Sequence, residues 1–150
     1  MNRYTLVIVD MQTGFIDSDH DFAVISGVIR AIKKAKKNLS DIIVVEYSGS
    51  GKTLPDIMRT LRGYRKVHRV QKHKDDGSVP VLRNIRRNGL GLNLRVCGVN
   101  LDACVRRTVW GLVEKSAAEV KVLKQATNSS SYRPHVLRDM LISRVSVMDV

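Results

Sequence analysis

Apolar and polar positions follow two alternating patterns along this chain. Between the strand-like runs, apolar residues recur at helical spacing, as Val28, Ile29 and Ile32 do. The strand-like runs are continuous and rich in Val and Ile, which is typical of parallel strands buried on both faces. They are Tyr4–Val9, Asp41–Tyr47, Lys66–Gln71, Leu94–Val99, Val120–Lys124 and Arg144–Met148. We therefore predict an α/β fold: a three-layer, doubly wound (Rossmann-like), mostly parallel six-stranded sheet of order 3-2-1-4-5-6.

The composition adds a size and a charge to this prediction. The chain has 150 residues, 43% of them hydrophobic, which fits a single domain over residues 1–150 and is too little for a second core. Lys and Arg number 26 against 14 Asp and Glu, so the formal net charge is +12. This surplus attracts anions in general, nucleic acids included, and does not select one of them.

Signals for targeting and for metal binding are weak. The first apolar run stops at Asp10, too early for a signal peptide or a membrane span, so we expect a cytoplasmic protein without a membrane partner. The two cysteines, Cys97 and Cys104, form no C-x-x-C pair. The histidines have no metal-ligand spacing; they are His20, His68, His73 and His135. The sequence therefore predicts neither a metal nor another cofactor.

A glycine-rich segment, SGSGKT, follows the second predicted strand. A phosphate-binding P-loop has the pattern G-x-x-x-x-G-K-[ST], but Glu46 stands at the position of its first glycine. A carboxylate there would repel a phosphate group. We interpret the segment as a turn at the rim of a substrate site, where Ser50 and Lys52 are candidate contacts for an anionic part of a substrate. A permuted P-loop nucleotidase, in which Asp10 would bind Mg²⁺, is the weaker alternative.

The segment VCGVNLDACVRRT, Val96–Thr108, contains a candidate nucleophile. It places Cys104 just after a predicted strand and in the first turn of a helix for which we expect Asp102 to be the N-cap. The free amides and positive end of such a helix would lower the pKa of the thiol and favour the nucleophilic thiolate. Cys97 lies inside the strand pattern and is interpreted as a small buried hydrophobic residue.

The predicted strand order brings two of the reactive side chains together. In a sheet of order 3-2-1-4-5-6, a crevice opens between the carboxyl ends of the first and fourth strands. Asp10 follows the first of these strands and Cys104 the fourth, while Lys72 follows the third strand in RVQKHKDDGS. An acid and a thiol at one edge of a sheet are a candidate pair for nucleophilic catalysis.

A family resemblance rests on these residues. In the order LVIVDMQ-x-x-F, then the lysine, then C-G-V-x-x-D-x-C-V-x-x-T, the sequence resembles the isochorismatase-like cysteine hydrolases, which include nicotinamidases and N-carbamoylsarcosine amidases. The resemblance runs from the first strand to about Ser131. It implies a catalytic triad of Asp10, Lys72 and Cys104, and Phe15 of the first motif becomes a further candidate at the substrate rim.

The resemblance also implies a reaction and an oxyanion hole. It implies a cis peptide between Val99 and Asn100, and an oxyanion hole formed by the backbone N–H groups of Asn100 and Cys104. The implied reaction is hydrolysis of an amide or carbamoyl C–N bond in a small substrate through a Cys thioester. Asp10 would accept the thiol proton, and Lys72 would keep Asp10 ionised.

Departures from the family pattern leave the substrate open. Asp76, Gly77 and Ser78 stand where relatives have a small-small-aromatic run, and Gln125 stands where many have Asp. Because the chain is short for the family, we expect a second subunit to complete the pocket, and hence a homo-oligomer. A second hypothesis is a noncatalytic protein of the same fold that binds nucleic acid or another polyanion through the basic segment 59–74.

Overall fold

The computed structural model describes residues 3–16, 19–128 and 141–150. Ser131, His135 and the side chain of His20 lie outside what it describes. The elements in chain order are β1 (Thr5–Val9), α1 (Asp19–Lys37), β2 (Asp41–Tyr47), α2 (Pro55–Leu61), β3 (Val67–Lys72), α3 (Ser78–Asn88), β4 (Asn93–Gly98), a π-helical turn (Leu101–Val105), α4 (Arg106–Glu114), β5 (Glu119–Thr127) and β6 (Val145–Met148). In the described ranges, no helix is both long and apolar enough to cross a membrane.

The strands form one six-stranded sheet. Its order is β3-β2-β1-β4-β5-β6, and every neighbouring pair is parallel. The predicted fold class and strand order are therefore confirmed. The predicted strand ends differ from the observed ones by a few residues at most; the largest difference is in β5, which ends at Thr127 rather than Lys124.

Helices cover both faces of the sheet, which gives three layers. Along β1, successive side chains point to opposite faces. Leu6 and Ile8 pack in the hydrophobic cluster that includes α1 and α2, and Val7 and Val9 pack in the cluster that includes α3 and α4. All four are fully buried. Burial of each such side chain contributes about 1.5–3 kcal/mol, so the centre of the sheet is a firm platform for the residues that follow β1 and β4.

A glycine at the end of β4 permits a close approach to β1. Gly98 pairs with Val9 and has φ 128°, a conformation that favours glycine. A Cβ atom at this position would lie 2.0 Å from the Val9 carbonyl oxygen. The ends of the two strands therefore meet closely, and the segments that leave them, which carry Asp10 and Cys104, are brought side by side.

Candidate active site

The three predicted catalytic residues converge at the carboxyl ends of the strands. Asp10 directly follows β1, Lys72 is the last residue of β3, and Cys104 lies in the π-helical turn after β4. Lys72 Nζ is 2.9 Å from Asp10 Oδ2, and their side chains are 1% and 0% exposed. The Cys104 side chain interacts with both Asp10 and Lys72. The fold thus places an acid, a cation and a thiol within contact of one another.

The backbone at Asp10 adopts a conformation that few side chains tolerate. Its φ is 55°, in the left-handed region, which costs about 1–3 kcal/mol in a non-glycine residue. The Asp10 N–H donates to the Val45 carbonyl at 3.0 Å, and the Gln12 N–H donates to the Asp10 carbonyl at 2.7 Å. These bonds hold a tight turn and fix the backbone from which the Asp10 carboxyl projects.

The carboxyl group of Asp10 is buried and poorly solvated. Lys72 Nζ lies at hydrogen-bonding distance from Asp10 Oδ2, and the Cys104 thiol is the other polar group that interacts with this carboxyl. Burial raises the pKa of Asp10, against the lowering effects of Lys72 and Cys104, and the charge of Asp75 raises it further. A buried carboxylate that has lost most of its hydration is costly to keep ionised, and it is a good proton acceptor.

The resting thiol of Cys104 is protonated, and the prediction of a lowered pKa is wrong. Burial raises the pKa of the thiol to about 12; Asp10 raises it too, and Lys72 opposes the rise. The Cys104 residue is only 4% exposed, so lost hydration outweighs the field of the helix end. The expected N-cap at Asp102 is also wrong: Asn100 is the N-cap of the π-helical turn, and its side chain makes no capping hydrogen bond.

The expected cis peptide between Val99 and Asn100 is not present, because no cis peptide occurs in the described ranges. The trans form is favoured by about 2.5–4 kcal/mol for non-proline residues. The chain reverses instead through a left-handed Asn100 with φ 63°, which asparagine tolerates better than most residues. The Asn100 carbonyl accepts from the N–H groups of Ala103 and Val105, at 3.0 and 3.1 Å, and not from that of Cys104 between them.

The candidate rim residues differ in their relation to the site. The Phe15 ring packs edge-on against Tyr47 with ring centroids 6.0 Å apart, and Lys72 Nζ lies 4.7 Å from the centre of the Tyr47 ring. Phe15 is thereby linked to the buried pair. Ser50 and Lys52 contact the segment after β1 through their backbone carbonyls. No contact brings their side chains to the other site residues within the described part of the chain.

The loop SGSGKT does not have the geometry of a phosphate cradle. The Thr53 N–H donates to Glu46 Oε2 at 3.2 Å, so a carboxylate already occupies an amide that a phosphate would need. The Gly14 N–H donates to the Ser50 carbonyl at 3.1 Å. The loop is thus a turn bound to the segment after β1.

Gln12 and Thr108, two residues of the family motifs, hold neighbouring loops through side-chain hydrogen bonds that the sequence analysis did not predict. Gln12 is fully buried; its amide donates to the carbonyls of Tyr47 and Gly51, and its oxygen accepts from the Tyr47 N–H. Thr108 Oγ1 accepts from the Gly77 N–H at 2.9 Å and donates to the Asp75 carbonyl at 3.4 Å. For Gln12, a polar residue directly after an apolar strand was the available signal, because such residues are buried only where they are hydrogen-bonded.

A second carboxylate, that of Asp75, also reaches the thiol. Cys104 Sγ donates to Asp75 Oδ1 at 3.8 Å, and Lys72 Nζ donates to the Asp75 carbonyl at 2.9 Å. Nothing in the sequence pattern distinguishes Asp75 from its neighbour Asp76. In the described ranges, no group of three or more His, Cys, Asp and Glu residues is arranged to hold a metal ion.

Comparison with solved structures shows the same architecture in several hydrolases. The N-carbamoylsarcosine amidase of Thermoplasma acidophilum is 16% identical, with a TM-score of 0.80 over 99% of this chain and 96% of that one. The nicotinamidase of Staphylococcus aureus is 18% identical, with a TM-score of 0.82 over 99% of this chain and 100% of that one. The MAR1 ribonuclease of Caenorhabditis elegans is 21% identical, with a TM-score of 0.77 over 99% of this chain and 77% of that one. Identities this low show a common fold.

The family itself is shown by sequence. No curated protein matches the chain significantly. The model of the isochorismatase domain, by contrast, matches residues 4–145. That range includes every element from β1 to the start of β6 and all the residues of the candidate site. The chain belongs to the isochorismatase domain family.

Proposed function

We propose that the chain is a cysteine hydrolase that cleaves an amide or carbamoyl C–N bond of a small substrate. The observation that carries the proposal is the buried Asp10 carboxyl, which lies 2.9 Å from Lys72 and interacts with Cys104. The site lies where the strand order reverses, the position at which open parallel sheets bind ligands. The amidase and the nicotinamidase that share the fold fit this class of reaction.

The proton balance of the site supports general-base catalysis. The raised pKa of Cys104 keeps the thiol protonated near neutral pH, so a base must remove its proton as it attacks. The raised pKa of Asp10 makes this carboxylate a stronger base than one in water. Lys72 carries the compensating positive charge while the proton moves. The two raised pKa values therefore belong to a pair that exchanges one proton.

The first half of the reaction forms a thioester. Asp10 takes the Sγ proton, the sulfur bonds to the substrate carbonyl carbon, and the carbonyl electron pair moves to oxygen. The N–H groups of Asn100 and Cys104 would stabilise the oxyanion; the Cys104 N–H does not bond to the Asn100 carbonyl that its neighbours use. The oxyanion then collapses, the C–N bond breaks, and the leaving nitrogen takes the proton from Asp10.

The second half restores the thiol. Asp10 takes a proton from a water molecule, and the oxygen of that water bonds to the thioester carbon. When that intermediate collapses, the C–S bond breaks and the sulfur regains the proton from Asp10. The products are an amine or ammonia and a carboxylic or carbamic acid. Atoms and charges balance without a metal or redox cofactor.

The test is ammonia release from a panel of small primary amides and carbamoyl compounds. We expect Cys104→Ala to abolish turnover and Asp10→Asn to lower it by about 10²–10⁴-fold, since general-base assistance is lost. Cys97→Ala is the matched control, because Cys97 is fully buried in β4 away from the carboxylate. Ammonia release that persists in Cys104→Ala would overturn the proposal.

Alkylation of Cys104 by iodoacetamide gives a second test of the site, in which two variants should shift the pH profile in opposite directions. Because Asp10 raises and Lys72 lowers the pKa of the thiol, Asp10→Asn should shift the pH profile of alkylation to lower pH, and Lys72→Met to higher pH. Asp10→Asn would thus alkylate faster and turn over more slowly. A profile that neither variant moves would show that the three side chains do not act together.

A second candidate function is the binding of a polyanion, and one surface favours it. Two adjoining cavities of about 490 and 230 Å³ lie between the edge strand β3 and α3, and they share Gln71, Pro80 and Arg83. Apart from Lys72, which is buried against Asp10, most of their charged lining is basic: Arg69, Lys74, Arg83, Arg87 and Lys115, against Asp76. The positive charge of segment 59–74 therefore continues onto α3, and a chain of phosphates would fit this charge.

Fluorescence anisotropy with a labelled single-stranded oligonucleotide tests this candidate. We expect Arg83→Glu/Arg87→Glu to weaken binding strongly and to reduce its salt dependence, and Cys104→Ala to leave binding unchanged. Lys33→Glu/Lys34→Glu, on exposed positions of α1 at the other face of the sheet, is the control with the same change in charge. Equal losses in both double variants would indicate attraction by net charge alone.

Self-association of the chain stays a prediction. The mass of one chain is 16.8 kDa, and light scattering after size-exclusion chromatography would give the mass in solution. A mass of one chain at assay concentration would contradict the expected homo-oligomer. It would also mean that one subunit forms the whole pocket.

A further inference from the structure

Asp75 presents a second carboxylate to the nucleophile, and the proposed reaction does not use it. Its Oδ1 accepts from Cys104 Sγ at 3.8 Å. Its backbone is held from two sides, because the Asp75 carbonyl accepts from Lys72 Nζ at 2.9 Å and from Thr108 Oγ1 at 3.4 Å. The Gly77 N–H in turn donates to Thr108. The backbone that carries this carboxylate is therefore held in place, and Oδ1 lies beside the sulfur.

The charge of Asp75 is only weakly compensated. Arg107 Nε lies 3.7 Å from Asp75 Oδ2, but these side chains are 62% and 40% exposed, so water and salt screen the pair. Lys72 Nζ forms its ion pair with Asp10 and contacts Asp75 at the backbone carbonyl. The negative charge of Asp75 is felt at Asp10, whose pKa it raises. A group that enters beside the sulfur thus meets an acceptor with negative charge.

The neighbouring carboxylate is engaged differently. Asp76 Oδ2 is 2.7 Å from Lys115 Nζ, and Asp76 Oδ1 accepts from the Ser78 N–H at 2.8 Å. Both of its oxygens are therefore used within the protein, at the start of α3. Asp75 and Asp76 have the same charge and adjacent positions in the chain, and only Asp75 faces the thiol.

We infer that Asp75 is a specificity-determining residue that binds an N–H donor or a cationic group of the substrate next to the scissile carbonyl. An ionised carboxylate accepts hydrogen bonds and donates none, so it favours such groups and repels another carboxylate. The substrate class is then a neutral or cationic amide or carbamoyl compound. An anionic substrate, which the rim loop with Ser50 and Lys52 suggested, is disfavoured at the sulfur. The inference rests on the proposed cysteine hydrolase function.

The test measures the charge preference of Cys104 without any substrate. Three methanethiosulfonates carry a small neutral methyl, a cationic aminoethyl or an anionic sulfonatoethyl group. In each, Cys104 Sγ loses its proton to a base and bonds to the alkylthio sulfur of the reagent, while the S–SO₂ bond breaks and methanesulfinate leaves. The rates are measured in a Cys97→Ala background and divided by those of a free thiol such as N-acetylcysteine. The ratio of the cationic to the anionic rate then reports the local potential.

We expect Asp75→Asn to lower the ratio of the cationic to the anionic rate by about tenfold, because one charge is removed about 4 Å from the sulfur. Asp76→Asn, which removes the same charge one residue along, should change it by less than about threefold. Circular dichroism confirms that both variants fold. An unchanged ratio in Asp75→Asn, or equal changes in both variants, would overturn the inference, as would a Cys104 that none of the reagents modifies.

This experiment separates failure of the inference from failure of the proposed function. If turnover depends on Cys104 but the rate ratio ignores Asp75, the inference alone is wrong. If ammonia release persists in Cys104→Ala, the hydrolase proposal is wrong whatever the ratio. With a substrate in hand, Asp75→Asn should raise KM for cationic compounds more than for neutral ones and should leave kcat less affected.

Discussion

Two Asp–Lys ion pairs of this chain have nearly equal lengths and opposite surroundings. Lys72 Nζ lies 2.9 Å from Asp10 Oδ2, with side chains 1% and 0% exposed. Lys115 Nζ lies 2.7 Å from Asp76 Oδ2, with side chains 41% and 34% exposed. The first pair joins the ends of β3 and β1 at the candidate site, and the second joins the end of α4 to the start of α3.

The pKa values of the two acids move in opposite directions. Burial raises the pKa of Asp10, and its close lysine does not reverse the rise. Partial burial alone would raise the pKa of Asp76 too, but Lys115 and the hydrogen bonds of Ser78 outweigh it and lower the pKa. Hydration of the carboxyl group therefore affects its pKa more than the distance to the lysine does. In the buried pair, Asp10 becomes a better proton acceptor; in the hydrated pair, Asp76 stays ionised and connects two helices.

Substitution of each lysine should give the largest difference between the two pairs, measured as the loss in the free energy of unfolding. Lys72→Met leaves the Asp10 carboxylate buried without a cation, and we expect the free energy of unfolding to fall by about 3–5 kcal/mol near neutral pH. Lys115→Met leaves Asp76 in water, with an expected loss of about 0–1 kcal/mol. Urea unfolding of both variants and the wild type measures these differences.

A double variant identifies the cause of the larger loss. Asp10→Asn/Lys72→Met has no buried charge at the site, so it should regain most of the stability lost in Lys72→Met. If it is no more stable than the single variant, the loss comes from packing around the lysine chain. Equal losses in Lys72→Met and Lys115→Met would remove the distinction between the pairs.

The pH dependence of stability should have opposite signs for the two acids. Asp10 has a folded pKa above its unfolded value of 3.8, so its contribution becomes less favourable as pH rises from there through the folded pKa. Asp76 has a lowered pKa, so its contribution is complete above 3.8 and is lost as pH falls through the folded value. The two acids therefore favour the folded chain at opposite ends of the acidic pH range.

Urea unfolding from acidic to neutral pH checks these signs. The stability of the wild type minus that of Asp10→Asn should decrease with rising pH, and the wild type minus Asp76→Asn should increase. The second slope should be the smaller one, because Asp76 is partly exposed and screened. Two slopes of the same sign would contradict the comparison.

The order of elements and the position of Asp10 followed from local patterns. Continuous apolar strands separated by amphipathic helices specify a parallel sheet, and polar residues directly after the strands must lie at one edge. Asp10 and Cys104 are therefore close because of topology, which depends little on side-chain detail. Lys72 came from the family resemblance, because a lysine after β3 among other basic residues has no distinctive pattern.

The role of Asp75 and the state of Cys104 depend on tertiary packing instead. Asp75 faces the thiol because Lys72, at the end of β3, and Thr108, in α4, both donate to its carbonyl. The thiol pKa depends on how deeply the π-helical turn is buried, which a helix N-terminus in a sequence does not reveal. Similarly, the chain after β4 can reverse through a cis peptide or through a positive φ, and only the folded backbone shows that Asn100 uses the second.

The salt dependence of these stability losses is the smallest of the predicted effects, and it tests whether water and ions reach each pair. From 0.1 to 1 M salt, the screening length falls from about 10 Å to about 3 Å, which weakens exposed pairs and hardly affects buried ones. The loss of folding stability caused by Lys115→Met should therefore fall towards zero at high salt, while the loss caused by Lys72→Met should persist. Differences between variant and wild type at each salt concentration cancel the general effect of salt on folding. If high salt instead removed the loss in Lys72→Met, water and ions would reach Asp10 in solution, and the raised pKa on which the proposed base depends would not hold.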